Sequence, residues 1–160
     1  MKKVEPTRSV DLYVSAAAGG FLGAYIGLAI DFLLTPYFIS VWLTWSGHPN
    51  ADVKPWEGAM SRLLARPAWG EIALYGSIGA ITFLGGYWWP KHRINFLFGG
   101  FLAIVLYKWV PGLFLPPAGP IPAESTVMYI LQTLIFALIT ISVSWCVGEG
   151  LTRIARRLTG

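Results

Sequence analysis

The sequence is short of almost everything that usually carries chemistry. It has one cysteine, Cys146, in 160 residues. One thiol cannot form an internal disulfide, a CxxC pair or a cysteine-ligated cluster. Histidine is limited to His48 and His92, neither inside an apolar segment. That leaves no inward-facing histidine pair for a membrane b-type haem and no ligand spacing for zinc. Hydrolase, phosphate-loop and dinucleotide signatures are missing: there is no G-x-S-x-G, no G-x-x-x-x-G-K-S/T and no G-x-G-x-x-G. Charge is scarce too. Only 12% of the residues are charged, about half the share in soluble domains.

What fills the chain instead is apolar. Hydrophobic residues make up 55% and mean hydropathy is +0.58. One core in a chain this small cannot hide that much apolar surface from water. A bilayer removes the difficulty. The net charge of +4 is divided among short clusters, which suits membrane orientation better than a nucleic-acid face.

The segment AAAGGFLGAYIGLAID, residues 16–31, organises the reading. Gly19, Gly23 and Gly27 recur every four residues, and the next step on that line is Asp31. On a helix such positions lie above one another. They form a groove without side chains that ends in a carboxylate. In a membrane, such a groove lets a second backbone approach closely. Gly99 and Gly100 give a later segment a similar patch.

The pattern predicts an all-α membrane protein with four spans, at about 12–34, 69–89, 94–115 and 125–148. About 20 apolar residues cross the hydrocarbon. The first span is expected to be a retained helix, since its apolar run exceeds the length of a signal-peptide core. Pro36 should end or kink it, leaving residues 37–45 oblique at the interface. Residues 55–66 read as a short amphipathic helix on the outer surface, with Trp56, Met60, Leu63 and Leu64 on one stripe. The proline-rich segment 111–123 and the loop 46–67 read as rigid outer surfaces for docking.

Eight of the twelve Lys and Arg residues fall on the side shared by the two termini and the 91–93 turn. That orients both termini to the cytoplasm, in the cell (inner) membrane. The tryptophans fall near the two expected interfaces and none at mid-bilayer, as aromatic belts do.

Few residues are candidates for function. Asp31 is an ionisable group inside a span. It is expected to pair with Lys108, which sits at a similar depth, while Glu71 opens the second span. Glu149 should pair with Arg153 at i+4. Arg153, Arg156 and Arg157 are candidates for anionic lipid head groups. Ser77, Thr82 and Thr140 should bond their own preceding turn. Cys146 should pack as a small apolar residue. The last span, ILQTLIFALITISV, reads as large and branched on nearly every face.

No group in the sequence looks catalytic. The reading is therefore a non-catalytic accessory subunit of a larger membrane complex, energy-transducing or transport, with other integral membrane subunits and lipids as partners. No cofactor is expected. The alternative is a small transporter or channel component with Asp31, Lys108 and Glu71 lining a polar path. In length and span count the chain is similar to the small four-helix subunits of tripartite solute transporters. Aromatic content of 15% raises a third option, contact with a pigment or quinone, although interfacial belts account for most of those rings.

Overall fold

The computed structural model describes residues 6–45, 69–114 and 123–159. The expected surface helix at 55–66 and most of the two outer loops lie outside the described residues. What is described is helical: α1 over Pro6–Trp45, α2 over Trp69–Trp88, a 3-10 turn over Pro90–His92, α3 over Arg93–Phe114 and α4 over Ala123–Thr159. Two segments are long and apolar enough to cross a membrane by length and composition, Val10–Thr35 in α1 and Thr126–Leu158 in α4.

The helices differ in length from the sequence expectation. α1 has 40 residues, about 60 Å at 1.5 Å per residue. It begins before residue 12 and runs through Pro36 to Trp45. Proline lacks the N–H that would bond the Phe32 carbonyl, so one rung of the ladder is missing there. Around it the Thr35 hydroxyl donates to the Asp31 carbonyl at 2.7 Å, and the Ser40 hydroxyl donates to that of Tyr37 at 3.0 Å. α4 likewise continues past Gly148, so the basic tail is helical to Thr159.

α2 and α3 join through a very tight turn. The Trp89 N–H donates to the Gly85 carbonyl at 2.9 Å, and the His92 N–H donates to Trp89 at 2.8 Å. Pro90 opens the 3-10 turn, where its missing N–H costs nothing and its fixed φ fits.

In cross-section the four helices form a rhombus. α2 and α4 touch across the short diagonal, and each touches both flanking helices. α1 and α3 lie at the far corners and make no backbone contact among the described residues.

The interior is not uniform. One apolar cluster, near the Asp31 end, joins Leu28, Ile72, Tyr75, Ile104 and Phe136. A second, toward the other end, joins Leu12, Ala16, Phe83 and Trp145. Between them lies a waist of small residues, where Gly20 meets Gly76 and Gly79 meets Ser144. Buried polar side chains are mostly hydroxyls: Ser15, Thr82, Thr133, Thr140, Ser144 and Thr152. The outside is apolar. Ile94, Phe98, Leu102 and Leu106 run down one exposed face of α3, and Leu131, Leu134 and Leu138 lie exposed on α4.

Candidate functional site

The glycine line of α1 packs on a matching line of α4. Phe136, Thr140, Ser144, Gly148 and Thr152 also recur every four residues, and the helices run antiparallel. A Cβ at Gly19 would lie 2.6 Å from the Ser144 carbonyl oxygen and 2.9 Å from the Gly148 nitrogen. One at Gly23 would strike the Ser144 hydroxyl and lie 2.6 Å from the Thr140 carbonyl oxygen. One at Gly27 would strike the Thr140 hydroxyl. Ridges at i±4 on both helices interdigitate only because one of them is bare. Gly100 serves α3 in the same way, close against Thr82 and Ile141. Gly99 does not: a Cβ there would meet open space.

The reading of α4 as large and branched on nearly every face is thereby corrected. From Thr140 to Thr152 its inward line is small and mostly polar. The hydroxyls of Ser144 and Thr152 donate to carbonyls four residues back, at 2.7 and 2.8 Å. The Ser77 hydroxyl does the same in α2, at 2.7 Å. The Thr140 hydroxyl has no such bond and stays buried beside Gly27.

The same register carries Asp31 onto Gln132, one step beyond Phe136. The Gln132 amide donates to Asp31 Oδ1 at 2.9 Å and to Thr35 Oγ1 at 2.7 Å. Lys108 Nζ reaches Asp31 Oδ2 from α3 at 2.9 Å, with the two side chains 13% and 16% exposed. The ammonium also lies 4.0 Å from the centroid of Phe136, over the negative face of the ring. Tyr129 donates its hydroxyl to the Lys108 carbonyl at 2.9 Å. Tyr75 packs edge-on to Phe136, with centroids 4.9 Å apart. This knot sits six residues inside the ends of α2 and α3, about 9 Å along the axis. It joins all four helices at one level. Chemically it is an ion pair with both carboxylate oxygens occupied, walled by aromatic rings.

Asp31 and Lys108 are therefore brought together, whereas Glu71 stands exposed in the first turn of α2, outside the knot. Sequence reasoning missed Gln132, although it is the chain's only glutamine and sits in an uncharged run.

The other end of the bundle holds a second charged cluster. Glu149 accepts from Arg153 at 2.6 Å, from the Trp145 indole N–H at 3.0 Å and from Arg93 at 3.2 Å. The Arg93 guanidinium lies 4.1 Å from the Trp145 ring centroid. Arg156 donates to the Tyr87 hydroxyl, and Arg157 is exposed. Trp145 is only 8% exposed and belongs to the core at this end. Cys146 is a second correction. It faces outward, because the adjacent inward positions are taken by Ser144 and Trp145. His92 lies exposed in the turn; His48 is outside the described residues.

No protein-family model matches the chain, and neither a curated protein nor a solved structure matches it.

Proposed function

We propose that this chain is a four-span membrane protein serving as a non-catalytic accessory subunit of a larger membrane complex. The distribution of side chains supports integration in a bilayer. Gly19, Gly23, Gly79, Thr82, Thr140 and Ser144 are buried while Ile81, Ile94, Phe98 and Leu138 are each at least 60% exposed. Water would penalise that arrangement, whereas lipid tails or neighbouring subunits would cover it. The first-helix start, the 91–93 turn and the basic end of α4 share one end of the bundle, and the positive bias assigns that end to the cytoplasm.

The observation that carries the accessory role is the closed waist. Gly20 meets the Gly76 backbone there and the Ser144 side chain fills the space over Gly79, which argues against a solute path along the bundle axis. In the knot Asp31 and Lys108 occupy each other, and at the other end Glu149 engages Arg93 and Arg153. The chain's own grooves are spent on folding, and what it offers outward is apolar helix surface for other membrane subunits.

The test is purification from native membranes in mild detergent through a tag after Gly160. A large particle with defined component chains supports the proposal. A small particle of this chain alone, stable and active, overturns it. A second reading, a transporter or channel component, is favoured by the intramembrane position of the Asp31–Lys108 pair. On that reading Asp31→Asn abolishes flux while assembly persists; persistent flux eliminates it.

A further inference from the structure

A cleft of about 420 Å³ opens between the end of α2, the turn that follows and α4. That volume lies within the range of small-molecule sites. Arg93, Arg153 and Arg156 line it, against one carboxylate, Glu149. Glu149 binds Arg93 and Arg153 together. Arg156 has no carboxylate among the described residues; it donates to the Tyr87 hydroxyl, with its guanidinium carbon 5.5 Å from that ring's centroid. The cleft therefore keeps two positive charges beyond what Glu149 neutralises.

Its inner wall is aromatic. Phe83 and Trp145 meet edge to face, with centroids 5.3 Å apart. Gly86 makes room for the indole: a Cβ there would lie 2.6 Å from the Trp145 ring. Phe83, Tyr87 and Trp145 give the cleft an apolar wall beneath its arginines, at the end of the bundle assigned to the anionic leaflet.

We infer that the cleft binds the phosphate of an anionic phospholipid head group, an inference that rests on the membrane-integral reading. The guanidinium forks of Arg93, Arg153 and Arg156 donate to the phosphate oxygens. Glu149 holds two of the forks in place, and the aromatic wall receives the glycerol and first methylenes. The site takes in Arg93, far from the tail in sequence, and leaves out Arg157, which does not line the cleft.

The full chain, purified in dodecyl maltoside, is mixed with micelles doped with phosphatidylglycerol or phosphatidylcholine. Retained lipid is counted by native mass spectrometry. Phosphatidylglycerol should be retained and phosphatidylcholine not. Arg156→Gln, which breaks no ion pair, should weaken retention about tenfold, the loss of roughly one charge-assisted contact. Arg157→Gln should leave it unchanged, and Arg156→Lys should fall between. Equal retention of the two lipids, or equal effects of Arg156→Gln and Arg157→Gln, overturns the inference. So does thermal stabilisation by inorganic phosphate with no response to phosphatidylglycerol, which would make the ligand a soluble anion. An alkaline carbonate wash keeps the two claims apart. Release of the chain into the wash refutes the membrane reading itself, whereas a retained chain that ignores head-group charge refutes only the site.

Discussion

Lys108 and Asp31 meet at 2.9 Å across helices whose backbones do not touch. The pair spans the long diagonal of the rhombus, 77 positions apart in sequence. Only a long side chain on α3 can make that reach, and only a carboxylate held by Gln132 is fixed to receive it.

Removing one partner should cost more than removing both. Lys108→Met leaves a largely buried carboxylate with the Gln132 amide alone, and should destabilise the chain by about 3 kcal/mol. Asp31→Asn combined with Lys108→Met should recover much of that loss. Thermal unfolding of the two single variants and the double variant in one detergent gives the coupling directly. Additive losses would mean that the pair is not coupled.

Gln132 offers a test with a sign. Gln132→Glu places a second carboxylate against Asp31 and replaces a donor with an acceptor. Two ionised carboxylates at that separation repel each other, and protonating one of them removes the repulsion. The variant should therefore lie well below the parent at neutral pH and approach it under mildly acidic conditions. A deficit that does not shrink on acidification would refute the contact.

The glycines should divide sharply. Gly23→Leu drives a side chain into Ser144 and the Thr140 carbonyl, and should prevent α1 from closing on α4. Gly99→Ala meets nothing and should be neutral or stabilising, by up to about 1 kcal/mol from helix propensity. Disulfide trapping between cysteines introduced on α1 and α4 reports the first effect, and melting temperature the second.

Gly86→Ala should act at a distance. It crowds the Trp145 ring, and that indole N–H is one of three donors to Glu149. Displacing the ring should loosen Arg93 and shift tryptophan emission to longer wavelength. Unchanged emission would show that Trp145 does not need the gap.

The helical class and the Asp31–Lys108 pair were readable because each rests on a strong local signal: long apolar runs, and charges set inside them. The packing partner of the glycine line was harder. Gln132, Phe136, Thr140, Ser144, Gly148 and Thr152 share one line at four-residue spacing, but Leu, Ile and Val between them dominate the composition of the segment. The outward position of Cys146 and the burial of Trp145 follow from that line, so both were hidden with it. The passage of α1 through Pro36 was illegible for another reason. A proline breaks a helix in isolation, and nothing in the local sequence marks that α1 carries on through it to Trp45.

α1 is gripped on two sides by backbone, through Gly19 and Gly23 against α4 and through Gly20 against α2. A rod held this way cannot roll about its own axis without driving Cα atoms into carbonyls. It is left with sliding or tilting as a unit, from its start to the Asp31 knot. Beyond Thr35 the constraint changes, because Pro36 has removed one rung of the helix's own ladder. A push at the far end of α1 would bend the helix there and leave the bundle beneath unturned.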